Sequence, residues 1–290
     1  MSRFDSTSFL DQVKLLGAIP NGRFEDDEIL AIASDQLNSV VVPLILLQKE
    51  EYYLTPEDQA ITANQAAYPI PYRAMGLSLR EVKLVKSNEV RDLPRIDPTE
   101  VKTGATGEPW AFYLQGTDVI LYPTPATTQN TLRLSYFLTP SAFVPLAEVG
   151  LITDIDRATG IVTAAIPSTW ATSSTYDLVS SKNGHQSKAT GLVASAITAT
   201  TDITFIAADI PASIVIGDYV CLEGESPYLQ CPDICFRYIV QLTINDLLAS
   251  MEAQAALQAG MALATKFEGL MISNLQNRVA GAPRRLRITL

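Results

Sequence analysis

Few residues in this chain have the types and spacing that covalent chemistry needs. Histidine is the side chain that proton transfer near neutral pH leans on most, and there is only His185. It lies in Ser180-Ser181-Lys182-Asn183-Gly184-His185-Gln186, a loop composition with Asn-Gly as its turn signal. The expectation is therefore an exposed turn histidine rather than a general base. Cys221, Cys231 and Cys235 would complete a zinc tetrad with His185, but the paired-ligand spacing of structural zinc sites is missing. Cys231 and Cys235 stand at helical spacing near apolar residues, so inert buried thiols are expected. Asp154-Ile155-Asp156-Arg157-Ala158-Thr159-Gly160 opens like a calcium loop but lacks the later oxygen ligands and the glutamate. Between two β runs it reads as a hairpin turn. Gly224-Glu225-Ser226-Pro227 lacks the glycine that follows the serine of a nucleophile elbow, and no phosphate-cradling glycine motif occurs. These residues predict no catalytic group, no cofactor and no metal, and so no enzyme.

Composition narrows the partners. The chain has 290 residues, 47% of them hydrophobic and 18% charged, which is the balance of a folded protein. With 31 acidic against 21 basic residues its net charge is −10, which disfavours sequence-specific binding of free nucleic acid. The longest apolar run, Val40–Leu47, is short of the roughly 20 residues that span a bilayer, and no membrane partner is expected. Met1–Asp11 has no apolar core behind a basic start, so no signal peptide is expected. An odd number of cysteines suits a reducing cytoplasm.

The predicted fold is α+β: terminal helices packed as a bundle around a β-rich middle. Residues 1–51 form the first helical part. Phe9–Leu16 is a short amphipathic helix, and a second helix starts near Glu25, with Asp26, Asp27 and Glu28 at its positive dipole end. Its apolar face is Ile29, Ala33, Leu37, Val40 and Val41, and Pro43 should kink it before it ends near Glu50. Glu50, Glu51, Glu57 and Asp58 then read as a solvated helix end. Residues 52–149 are β-rich, with strands at Leu79–Lys86, Glu89–Leu93, Ala111–Leu114, Asp118–Tyr122 and Leu132–Phe137, and a hairpin turn at Gln115-Gly116-Thr117.

Residues 150–228 hold an inserted small β-sandwich or barrel with a weak internal echo. Thr159–Pro167 leads to Tyr176–Val179, and Thr201–Pro211 leads to Asp218–Val220, each a strand, an Ile-Pro corner and a strand. Helix returns over 229–279, where Pro232 suits a first helical position. Ile244, Leu247, Leu248 and Met251 line one face; Leu263, Phe267, Leu270, Met271 and Leu275 line another, with a bend near Ser250 or Gly260. An extended arm, 280–290, closes the chain. After Gly281-Ala282-Pro283 come Arg284, Arg285, Leu286, Arg287, Ile288, Thr289 and Leu290, in which Arg285, Leu286, Arg287 and Ile288 alternate basic and apolar at strand spacing. Such a segment is suited to docking on a partner's sheet edge.

Several short motifs carry a family resemblance. Asp26-Asp27-Glu28-Ile29-Leu30, Val42-Pro43-Leu44, Lys49-Glu50-Glu51-Tyr52-Tyr53, Tyr68-Pro69-Ile70-Pro71-Tyr72-Arg73-Ala74, Leu93-Pro94-Arg95-Ile96 and the closing Asn277–Arg285 resemble the head-to-tail connector (adaptor) proteins of tailed bacteriophages. The resemblance implies a virion structural protein at the head–tail junction, assembled in the host cytoplasm. It also implies a homo-oligomeric ring, commonly a dodecamer, under the portal protein, with tail proteins as further partners and non-specific passage of genomic DNA. The portal-docking arm would be Arg284–Leu290. Such adaptors of the minimal type are small helical bundles, whereas this chain is mostly β by length. A tail tubular or tail-completion protein is therefore the alternative, and a receptor- or carbohydrate-binding β module is another.

Overall fold

A computed structural model describes residues 4–275, apart from 21, 88, 103, 129, 183, 199 and 200. It is mixed α+β and divides into two compact units, residues 50–139 and the remainder of the chain.

The second unit begins with α1 (Ser6–Leu16), capped by Asp5, whose side chain accepts from Ser8 N at 2.8 Å. Then follows α2 (Asp26–Gln36), opened by a Glu25/Glu28 capping box. It runs through a π-turn, Leu37–Val41, into α3 (Val42–Gln48). The π-turn has a cause in the sequence. Pro43 has no N–H and its ring would crowd the carbonyl four residues back. Widening the helix one turn earlier, with Val42 N donating to Leu37 O, lets the rod continue instead of breaking. Asp26–Gln48 is long and apolar enough to cross a membrane by length and composition alone. Its apolar face, Ile29, Leu30, Ala33, Leu37, Val41, Val42 and Ile45, is instead buried in the protein.

Residues 50–139 contain β1 (Leu54–Ala60), β2 (Ala67–Pro69), β3 (Ala74–Val85), β4 (Val90–Asp92), β5 (Thr106–Gly107), β6 (Ala111–Gln115), β7 (Asp118–Tyr122), β8 (Thr124–Pro125) and β9 (Thr131–Leu138). A four-stranded sheet, β1-β9-β3-β4, and a three-stranded sheet, β2-β7-β6, share one core. Val82, Leu84, Leu132 and Leu134 come from the first, and Tyr68, Phe112, Val119 and Leu121 from the second. Gly116, at φ +61°, makes the two-residue turn between β6 and β7.

The rest of the larger unit contains β10 (Ala142–Phe143), β11 (Gly150–Asp156), β12 (Ile161–Ala164), β13 (Thr175–Val179), β14 (Ser187–Val193), β15 (Ala196–Thr198), β16 (Asp202–Thr204), β17 (Tyr219–Leu222) and β18 (Glu225–Ser226). Seven of these form an antiparallel sheet in the order β14-β13-β17-β11-β12-β16-β15. Its two edge strands are consecutive in sequence, joined only by Ala194-Ser195. Three Cα steps span at most about 11 Å, so the opposite edges approach at one end and the sheet curls around its core. That core includes Ile152, Val162, Trp170, Tyr176, Ile203 and Ile214.

The internal echo recurs in hydrogen bonding. Trp170 N donates to Pro167 O and Ser174 N to Ala171 O, each followed by β13. At the same spacings Ile214 N donates to Pro211 O and Asp218 N to Val215 O, followed by β17. The strands entering the corners, β12 and β16, pair with each other, as do β13 and β17.

Helices close the larger unit. A 3-10 turn, Asp233–Cys235, with Pro232 as its N-cap, leads into α4 (Phe236–Ser250), so Pro232 precedes the helix rather than starting it. After a break at Met251–Ala253, α5 (Gln254–Asn274) follows. Helix α4 packs against α1, α2 and α5. The predicted α5 face needs correction. Leu263 and Leu270 are exposed, and the buried positions are Gly260, Ala264, Met271 and the following Leu275. The small residues decide this, because a Cβ at Gly260 would lie 2.2 Å from Asn245 Oδ1 on α4. The bend lies beside Ser250, while Gly260 sits inside an unbroken helix.

Candidate functional site

The residues with chemical potential fall in separate places. His185 is the clearest departure from expectation. It is 5% exposed, not an exposed turn residue. Its ring stacks on Tyr228 with centroids 4.2 Å apart, Nδ1 lies 3.4 Å from Ser180 O, and Nε2 lies 3.8 Å from Asp233 Oδ1. Phe4 approaches from the N-terminal side. Burial holds the imidazole below its usual pKa, against the opposing pull of Asp233 and the Ser180 carbonyl. The segment is a turn, as its composition predicts, with Gly184 and His185 both at positive φ. What sequence could not indicate is that the Phe4 and Tyr228 rings pack on His185.

Cys221, Cys231 and Cys235 are buried and free. Burial pushes the Cys221 thiol well above its usual pKa; a hydrogen bond with Cys235, then burial, does the same for Cys231. Such thiols are poor nucleophiles. Among the described residues no group of three or more His, Cys, Asp or Glu side chains could hold a metal.

Asp154–Gly160 is the β11–β12 hairpin. Asp156 accepts from Thr159 Oγ1 at 2.7 Å and Ala158 N at 2.9 Å, and these bonds lower its pKa. Gly160 is obligatory there: its φ is +77°, and a Cβ would lie 2.3 Å from Phe205 O. Gly224–Pro227 is likewise structural, because Ser226 is buried and its hydroxyl donates to Tyr228 O at 2.8 Å.

The acidic run does not form a helix end. Glu50 and Glu51 begin a 3-10 turn, while Glu57 and Asp58 lie on β1. Arg133 on β9 donates two 2.7 Å bonds to Asp58, holding its carboxyl below the usual range. Glu57 faces Tyr136, whose phenol burial and this charge push up to about 12. These carboxylates are ordinary cross-strand partners.

The arm Arg284–Leu290 lies outside the described residues. What the sequence missed is a recess that brings together Glu148, on the 3-10 turn Leu146–Glu148, and Glu225, on β18. No spacing signal joins residues so far apart in the chain. Glu225 was legible only as part of a failed nucleophile motif.

No curated protein matches the chain. A family described as SU10 adaptor protein matches residues 9–178, from α1 through nearly all of β13. That stretch takes in every strand of the smaller unit and the first Ile-Pro corner; it stops before the second corner and before α4 and α5. With more than half its length matched, the chain belongs to the SU10 adaptor protein family.

Proposed function

We propose that this chain is a virion structural protein of a tailed bacteriophage, an adaptor that joins head to tail at their junction. The adaptor-family match over residues 9–178 carries this reading. The partners are the portal protein, tail proteins and further copies of the chain, arranged as a ring of about twelve, assembled in the host cytoplasm. In this reading α1 to α5 act as a helical bundle that builds the ring, and 150–228 is a small inserted barrel at the periphery. The short link between β14 and β15 supports the barrel, since it draws the sheet's edges together.

The arm Arg284, Arg285, Leu286, Arg287, Ile288, Thr289, Leu290 docks on the portal, pairing backbone with a sheet edge and guanidinium groups with acidic surface. Genomic DNA passes through the ring without sequence-specific contact, and a net charge of −10 disfavours adhesion of the duplex. The test is deletion of Gly281–Leu290, followed by co-sedimentation with portal. The truncated protein stays folded and no longer joins portal; retained binding overturns the arm. Electron microscopy of the particle tests the location. A ring under the portal vertex supports the adaptor, whereas density at the tail tip removes it.

A further inference from the structure

A pocket of about 450 Å³ lies at the first Ile-Pro corner, lined among others by Ala147, Glu148, Ser168, Thr169, Trp170 and Glu225. Glu225 Oε2 is buried and has no hydrogen-bond partner among the described residues. Burial, and then the nearby Glu148 charge, raise the Glu225 pKa. A partly buried carboxylate beside a second one, with no cation, costs stability that a folded core has no reason to retain.

The chain carries an internal comparison. At the second corner, Arg157 Nη2 donates to Ala212 O at 3.3 Å and also to Ile214 O, while Lys188 Nζ donates to Ser213 O and pairs with Asp218 at 2.9 Å. The equivalent carbonyls of the first corner belong to Ser168, Thr169 and Trp170. Among the described residues none of them accepts a hydrogen bond, and no Lys or Arg pairs with Glu148 or Glu225. The backbone repeats, the cations do not, and two carboxylates stand in their place.

We propose that this pocket receives the guanidinium of an arginine presented by a partner protein, in the way the second corner holds Arg157. A guanidinium suits it better than an ammonium. Its planar fork of five donors can serve carboxylates and carbonyls together, and its face can stack on the indole of Trp170. A neutral sugar would leave both carboxylates without a counter-charge. The inference is independent of portal docking, in which this chain donates arginines rather than accepting one.

The test uses the full chain carrying W110F, which leaves Trp170 as its only tryptophan. Fluorescence is followed during titration with N-acetyl-arginine amide, and with N-acetyl-lysine amide and glucose in parallel. The arginine probe gives a saturable change that is at least about tenfold weaker in Glu225→Gln and in Glu148→Gln, while E225Q melts no lower than its parent. Glu148 is exposed, so E148Q keeps the test open should E225Q fold poorly. No saturable response, equal responses in both variants, an equal response to lysine, or tighter binding of glucose each overturns the assignment. A synthetic Gly281–Leu290 peptide whose binding is lost in E148Q would support the pocket and name this chain's own arm as a donor. The deletion experiment with portal would still judge the arm's other role.

Discussion

The two Ile-Pro corners of the seven-stranded sheet are built alike and charged differently. Both place a proline carbonyl three residues before a buried apolar side chain, Trp170 in one and Ile214 in the other. Both then feed strands that pair with each other. The second corner is closed by Arg157, Lys188 and Asp218; the first opens into a pocket with Glu148 and Glu225. A repeated backbone thus fixes the geometry of a site, while the side chains brought to it decide whether the site is filled from within.

The largest disturbance of this pair should come from Gly160→Ala. The hairpin that carries Arg157 would then force a Cβ against Phe205 O at a positive φ, at a cost of about 4 kcal/mol, read by chemical denaturation. Asp218 comes next. It is fully buried and accepts from Ser181 N and Val215 N, each at 2.9 Å, and from Lys188. Asp218→Ala leaves Ser181 N and Val215 N without their acceptor and the half-buried Lys188 without its counter-charge, and should cost about 3 kcal/mol. Burial raises the Asp218 pKa, but these donors outweigh it and the net shift is downward. A depressed folded pKa means the contribution is present above the unfolded value, near 3.8, and is lost as pH falls through the lower folded value. Melting curves between pH 5 and about pH 2 should therefore be flatter for the variant than for the parent.

Arg157→Met should cost about 1 kcal/mol, because Arg157 is exposed and water reaches the Ala212 carbonyl, while the partly buried Ile214 carbonyl loses its donor. No measurable loss would break the comparison, since the second corner would not then need its cation. The smallest effect belongs to the first corner: Glu225→Gln should change stability by less than about 1 kcal/mol, and in the favourable direction. A substantial loss would mean that Glu225 has a structural partner.

Much of the smaller unit was legible because its signals are local. Gly116 between two apolar runs announced the β6–β7 hairpin, and the alternation in Leu132–Phe137 matched β9. The echo between Thr159–Pro167 and Thr201–Pro211 was also legible, since proline and isoleucine at matched spacing constrain the backbone directly. The pocket was not. Its two carboxylates meet only after β10 and β18 pair in parallel, a contact between segments far apart in the chain. The burial of His185 was hidden for a similar reason: its loop composition is local, but its burial depends on the rings of Tyr228 and Phe4, which lie far from it in the chain.

By itself the sequence determined where several of the helices and strands lie, that the chain is α+β, and which phage adaptor family it resembles. Periodicity, capping residues and turn glycines act within a few residues, so the linear order suffices. Tertiary structure alone decided which face of α5 is buried, because the close approach to Asn245 admits Gly260 and turns Leu263 outward. It also decided which of two similar corners is satisfied and which stays open. Electrostatic satisfaction depends on distances of a few ångströms between residues that only folding brings together.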